Sequence, residues 1–244
     1  MKIEGNYLVF DNETIKSKKI TGTTIAGLLG MDNFKKKGDT LLSMWGFVKE
    51  DFDEFYTKRG SLAEKIANFV LKKRGKQTTT YNAEELKWDN FQDIKGFGGL
   101  IDIEIPSEET LYEIKSKSLK DYEYICKNGQ AMQERQALHY GCLRNYKIVH
   151  IMWIFFDEQT ENEIRNNLPI TTLKNIKMFE KPLYVDLNKL QSENNEALTY
   201  LLTCYKEKRI PLDDISDSYL EKLGLQRPQD SFLDTLPSFF WEER

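Results

Sequence analysis

The sequence predicts an α/β fold, a central mixed β-sheet flanked by helices, with helical additions at both ends. Three observations carry this expectation. A segment of helical period at residues 61–73 gives way to segments of period two at 98–105 and 111–116. A second helical segment, roughly 130–144, follows them. Then comes KIVHIMWIFF at 147–156, apolar enough to lie in the middle of a sheet. Helix, strands, helix, strand is the order of an α/β core.

The elements follow in chain order. Two short helices are expected near 23–29 and 40–48. In the third, Leu62, Ile66, Phe69 and Val70 share one face, and Gly75 ends it. GGLIDIEI and LYEIKS then alternate about Pro106-Ser107-Glu108-Glu109, which reads as strand, turn, strand. One domain is expected, with a core at about 55–157, an N-terminal helical segment at 1–54 and a helix-rich C-terminal segment at 158–244. The tail carries Phe232, Leu236, Phe239, Phe240 and Trp241, expected to dock on the body or on another subunit.

Composition narrows the chemistry. With 244 residues, 40% hydrophobic and 30% charged, the chain can bury a sizeable core. No apolar run is long enough to span a membrane, and the first residues lack a signal peptide's apolar stretch. The expected location is the cytoplasm. Three scattered cysteines, Cys126, Cys142 and Cys204, cannot form a four-cysteine zinc or iron–sulfur site. Two histidines, His139 and His150, exclude a three-histidine metal site and are assigned to structure. Any metal must be held mainly by carboxylates, which suits Mg²⁺, Mn²⁺ or Ca²⁺. The net charge is −4, but basic residues cluster in short runs in the first 150 residues, including Lys35, Lys36 and Lys37. Such runs suit a local phosphate-binding groove, or merely solvated helix ends.

The hairpin is where chemistry concentrates. Residues two apart in a strand share a face, so Asp102 lies with Leu100 and Glu104, and Glu113 with Leu111 and Lys115. Ile101, Ile103 and Ile105 take the opposite face. A turn at 106–109 sets Ile105 opposite Thr110 and Asp102 opposite Glu113. Directly opposed carboxylates, with Cβ atoms about 4.5–5.5 Å apart, repel unless a cation lies between them. The same pattern also describes a sheet with one buried and one wet face.

The wider arrangement resembles a known family. Asp102 followed by Glu113-Ile114-Lys115 looks like the D…ExK signature of the PD-(D/E)xK nuclease superfamily. Gly98-Gly99-Leu100-Ile101-Asp102 is similar to the lead-in of its lambda-exonuclease-like branch. Arg59-Gly60, with Glu64 four residues after the glycine, matches the preceding-helix glutamate, and Gln136…Tyr140 the QxxxY motif. Ile20-Thr21-Gly22-Thr23-Thr24 through Gly30 is similar to the opening of the YqaJ-type viral recombinases, with Thr24 where an acidic residue is usual. The likeness covers about residues 20–157. Alternatives stand beside it. Ser61-x-x-Glu64 also fits a capping box, Gln133 rivals Gln136, and Thr23 and Thr24 could simply cap a helix.

The resemblance implies a restriction-endonuclease-like core and a DNA nuclease dependent on Mg²⁺, with Mn²⁺ a substitute. Asp102, Glu113, the Ile114 position and Glu64 would bind metal. Lys115 would position the attacking water, and Gln136 and Tyr140 would orient the lysine or touch DNA. Thr23, Thr24, Lys35, Lys36, Lys37 and Lys117 are the expected DNA contacts. A phage-type recombination exonuclease acting on double-stranded ends is the expected activity, working beside a single-strand-annealing protein and forming a homo-oligomeric ring. An endonuclease of the same fold, or a DNA- or protein-binding module, is the alternative.

Overall fold

β5 (Ile148–Phe156) is the strand on which the sheet is built. Its side chains from Val149 onward are buried, except His150, as expected for a strand covered on both faces. β4 (Thr110–Ser118) pairs with it in parallel, Glu113 beside Ile151 and Lys115 beside Trp153. β3 (Ile103–Ile105) joins β4 antiparallel and β6 (Lys177–Tyr184) joins β5 antiparallel, giving the order β3-β4-β5-β6. This is the expected mixed sheet. The computed structural model describes residues 1–11, 15, 19–49, 53–170, 173 and 175–228. The aromatic tail expected to dock lies outside the described residues.

Two helices sandwich the sheet. α3 (Glu54–Lys73) covers one face over Ile103, Ile105, Tyr112, Ile114, Met152, Ile154 and Phe156. The expected stripe is only partly right. Ala63, Ala67 and Leu71 are the buried positions, whereas Phe69 is 61% exposed. Small side chains let the helix axis lie close to the sheet, which displaces the larger residues to the flanks. The helix also starts a full turn and more before residue 61, at Asp53, whose carboxylate accepts from Phe55 N–H. Ser61 is therefore mid-helix, and the capping-box reading of Ser61 and Glu64 falls. Gly75, at φ +80°, follows the helix end as expected. α5 (Ala131–Arg144) covers the other face, where Leu111, Val149, Ile151, Trp153 and Phe155 pack with Ala137 and Tyr140.

The predicted first strand is mostly not a strand. Pairing stops at Ile103, and residues 98–102 run as irregular backbone with Gly99 at φ +132°. Ile101 consequently packs on the α5 side with Phe91 and Tyr140, not with Ile103 and Ile105. The register of the hairpin is as expected: Ile105 faces Thr110 and Ile103 faces Tyr112, which brings Asp102 to Glu113.

The terminal segments form one unit. α1 (Gly22–Leu28), α2 (Lys37–Trp45), α7 (Leu187–Glu207) and α8 (Asp217–Lys222) enclose a core with Leu8, Ile20, Leu41, Trp45 and Ile210. β1 (Lys2–Glu4), β2 (Tyr7–Val9) and β7 (Arg209–Pro211) make a second small sheet, Leu8 opposite Ile210. A short helix, α4 (Tyr122–Asn128), leads into α5, and α6 (Glu158–Arg165) follows β5. β6 carries the four-stranded sheet past residue 157, where the core was expected to end.

Candidate active site

The ladder fails at Asp102, and this creates the site. In an antiparallel pair, a hydrogen-bonded residue turns both its N–H and its C=O to the same neighbour. Ile114 turns its N–H to the side where β3 has ended, and the Asp102 carboxylate accepts it at 2.7 Å. Its carbonyl faces the same edge. Glu113 lies one residue back, 1% exposed, on the α5 face. Its Oε1 accepts from Lys115 Nζ and from Gln136 Nε2, both at 2.6 Å. Its Oε2 is buried with no partner. Leaving a buried carboxylate oxygen unmet is costly, so its persistence asks for a function.

Electrostatics agree with that arrangement. Burial and then the Asp102 carboxylate push Glu113 up to about 8, against the pull of Lys115. Burial likewise raises Asp102, opposed by Lys115 and the Ile114 N–H. Glu64, exposed at the rim on α3, is pushed up to about 7 by its crowded surroundings and by Asp102. Burial would lower Lys115, but Glu113 and Asp102 outweigh it and hold the ammonium. Three carboxyls that resist ionisation around one lysine form a site short of positive charge.

The donor set fits a hard divalent cation. It offers carboxylate and carbonyl oxygens only, one of them an orphan, with no soft ligand nearby. Among the described residues, no three carboxylate, histidine or cysteine side chains are drawn together as a finished metal cage. Glu64 would have to reach inward, directly or through water. Asp102, Glu113 and the Ile114 carbonyl are the residues that would hold the ion.

Gln136 and Tyr140 sit one turn apart on α5, as expected, but differ in placement. Gln136 reaches Glu113. Tyr140 is 3% exposed and stacked on Phe91 at 5.9 Å, so it is packed away from any DNA. A Cβ on Gly99 would lie 2.6 Å from the Tyr140 ring, and one on Gly22 2.6 Å from Gln136 Cγ. These two glycines let the irregular lead-in and α1 close on α5. Gln133, the rival glutamine, instead accepts from Trp153 Nε1 at 2.8 Å.

The expected DNA contacts divide. Thr23, Thr24 and Lys35 line a groove of about 750 Å³ with Trp88, Met132 and the Gly98-Gly99 backbone. The groove adjoins the site through that backbone but does not include Asp102, Glu113 or Lys115. Thr24 also serves α1, its Oγ1 accepting from Thr21 N–H at 2.8 Å. Lys36 and Lys37 are engaged within the fold, Lys36 Nζ on the Asp213 carbonyl and Lys37 beside Glu196 and Tyr200. Lys117 follows Lys115 on the same face of β4, its pKa lowered by burial.

Sequence reasoning missed two supports. Arg59, 8% exposed, donates to Ser116 Oγ and O and to Glu161, and so ties α3 to β4 beside Lys115. Its place in the Arg-Gly pair was the available signal. Glu104, which matched no motif, accepts from Tyr81, Tyr146 and Arg144 and anchors β3. No local pattern announces it. His139 is structural as expected, buried against Asn194, and His150 stacks on Tyr112.

No family model matches the chain. It is 28% identical over 137 residues to an uncharacterized protein of Mycoplasma pneumoniae, covering 52% of this chain and 48% of that protein. It is 32% identical over 123 residues to uncharacterized protein MG373 of Mycoplasma genitalium, covering 46% and 43%. The matched region thus spans about half the length of those curated relatives. Among solved structures, a phage-related exonuclease from Haemophilus somnus superposes with TM-score 0.54 at 16% identity, over 79% of this chain and 95% of that one. The alkaline exonuclease of Laribacter hongkongensis does so with TM-score 0.54 at 14% identity, over 78% and 90%. At that identity the likeness establishes the fold: a restriction-endonuclease-like mixed sheet between helices, shared with phage-type exonucleases.

Proposed function

We propose that this chain is a divalent-metal-dependent deoxyribonuclease that hydrolyses phosphodiester bonds. The observation that carries the reading is Glu113: a buried carboxylate opposed to Asp102, with one oxygen fixed by Lys115 and Gln136 and the other without a partner. The exonuclease folds of the structural neighbours support it.

Asp102, Glu113 and the Ile114 carbonyl would hold Mg²⁺, or Mn²⁺ in its place, with Glu64 completing the shell. Such an ion, when bound, polarises a phosphate and makes bound water acidic enough to supply hydroxide. Lys115 holds its proton at Nζ and stabilises negative charge that builds on the phosphate. Gln136 fixes Glu113 Oε1, and through it the lysine. Backbone contacts carry no base information, so little sequence preference is expected.

Within this class we favour a recombination-type exonuclease of the YqaJ branch acting on double-stranded ends, with a ring assembly and an annealing-protein partner as further parts of the proposal. The test is digestion of linear and covalently closed circular DNA with Mg²⁺ or EDTA. Loss of the linear form alone supports the exonuclease, and loss of both makes it an endonuclease. Retardation without loss would make the protein a DNA-binding module. Asp102→Ala, Glu113→Ala and Lys115→Ala should each abolish digestion in a folded protein. Undiminished digestion by Lys115→Ala would sink the assignment.

A further inference from the structure

β4 has an open edge. Nine residues long, it is paired on one side by only three, and on the other side β5 pairs with it from Tyr112 to Ser118. Among the described residues, no strand covers 113–118 on the side that β3 has left. An uncovered edge normally invites another strand. This one is already claimed at two points: Asp102 takes the Ile114 N–H and Arg59 takes the Ser116 carbonyl. An added peptide strand would need both groups, so a protein strand is a poor occupant.

Gly60 stands beside this edge. It follows Arg59, whose guanidinium is bound to Ser116, and it lies one turn before Glu64 on the same flank of α3. Glycine is the least favourable residue but proline in a helix interior, and Gly60 is well inside a 20-residue helix. Neither usual reason for glycine applies. Its φ is not positive, and a Cβ there would meet nothing within 4 Å. What its missing side chain provides is bare helix backbone facing open space, a short way along the edge from Lys115.

We propose that Gly60 forms a close-approach notch, where the sugar-phosphate backbone of the substrate strand passes over the outer flank of α3, outside the Arg59–Ser116 bridge, on its way along the edge of β4 to Lys115. Lys117, next along β4 on the lysine's face, supplies the following positive charge. The inference rests on the nuclease reading and adds a path for the strand.

The test compares Gly60→Ala and Gly60→Leu with wild type. Binding of a fluorescein-labelled DNA duplex is read by anisotropy with Ca²⁺ replacing Mg²⁺, alongside thermal unfolding and digestion with Mg²⁺. Alanine should raise the unfolding midpoint yet weaken binding, and leucine should weaken it by about tenfold or more. A more stable protein that holds DNA less well is a result helix propensity alone does not give. Unchanged affinity in both variants, in a protein that digests DNA, would overturn the notch and leave the nuclease reading intact. If leucine prevents folding, alanine decides: affinity equal to wild type overturns the proposal. Wild-type protein that binds DNA but never cuts it would overturn the nuclease reading, with the Gly60 comparison still legible in binding.

Discussion

Replacing Glu113 by glutamine keeps the side chain's shape and removes its charge. In the folded protein this carboxyl is raised from 4.5 to about 8. A raised folded value means the folded state holds a proton that the unfolded state releases first. Stability from this group is therefore full below about 4.5 and is lost as pH rises through about 8. At about 1.36 kcal/mol for each pH unit, the gap gives a ceiling of about 5 kcal/mol. Glutamine forfeits the ion pair with Lys115, so a net gain of about 2 kcal/mol above pH 8 is the reasonable expectation. Glu64 and Asp102 shift in the same direction, and both persist in the variant. The quantity to measure is thus the difference between variant and wild type, by urea unfolding at pH 5 and pH 9. The two proteins should be close at pH 5, with Glu113→Gln the more stable at pH 9. Mg²⁺ should reverse the order at pH 9, because the ion stabilises the ionised wild-type site and finds one carboxylate fewer in the variant. Equal stability at both pH values, together with no Mg²⁺ effect, would refute the claim that Glu113 is a buried carboxylate waiting for a cation.

Three further outcomes follow from neighbouring residues. Gln136→Leu should lower the digestion rate by about 10-fold to 100-fold while sparing the fold, since it removes the donor that fixes Glu113 Oε1; steady-state rates on linear DNA check this. Gly99→Ala should cost about 1–3 kcal/mol, because its φ of +132° is strained for alanine and its Cβ would strike Tyr140, and chemical denaturation reads the loss. His139 is held down to about 4 by burial and by Arg135, so the folded state stays neutral where the unfolded chain takes up a proton. Stability from that group is present above about 6.5 and falls as pH drops toward about 4; His139→Gln should flatten this acid limb in a pH series of unfolding midpoints.

The difference between what the chain announces and what it hides has physical causes. β5 was legible because its apolar run reports burial directly, whereas the buried face of α5 includes Arg135 and His139, which no apolar period marks. β6 was not legible, for Pro182 interrupts it and its flanks are polar, as befits an edge strand. The union of the chain's two ends through Leu8 and Ile210 rests on three-residue strands far apart in sequence, which no local period can reveal. The site shows the same division. The strand period could set Asp102 opposite Glu113 with Lys115 beside it, and the family resemblance pointed to Glu64 and Gln136, but the orphaned Glu113 Oε2 and the hold of Arg59 on Ser116 are facts of packing.

One misreading is the more informative. Alternation through Gly98–Ile105 argued for a continuous strand, and the chain instead leaves the ladder at Asp102. Had the strand continued, Ile101 would pair near Ile114, and Ile114's N–H and carbonyl would be spent on the ladder. Asp102 would then be an ordinary polar residue on a sheet face. Gly99 prevents this, since its φ of +132° turns the backbone away and Tyr140 occupies the space where a Cβ would stand. Glu104, clamped by two tyrosines and an arginine, keeps the surviving short strand in register. The break is thus built from both sides. It frees the edge of β4, hands the Ile114 N–H to a carboxylate, and leaves the carbonyl turned toward the position where, on the proposed reading, Asp102 and Glu113 would hold a cation.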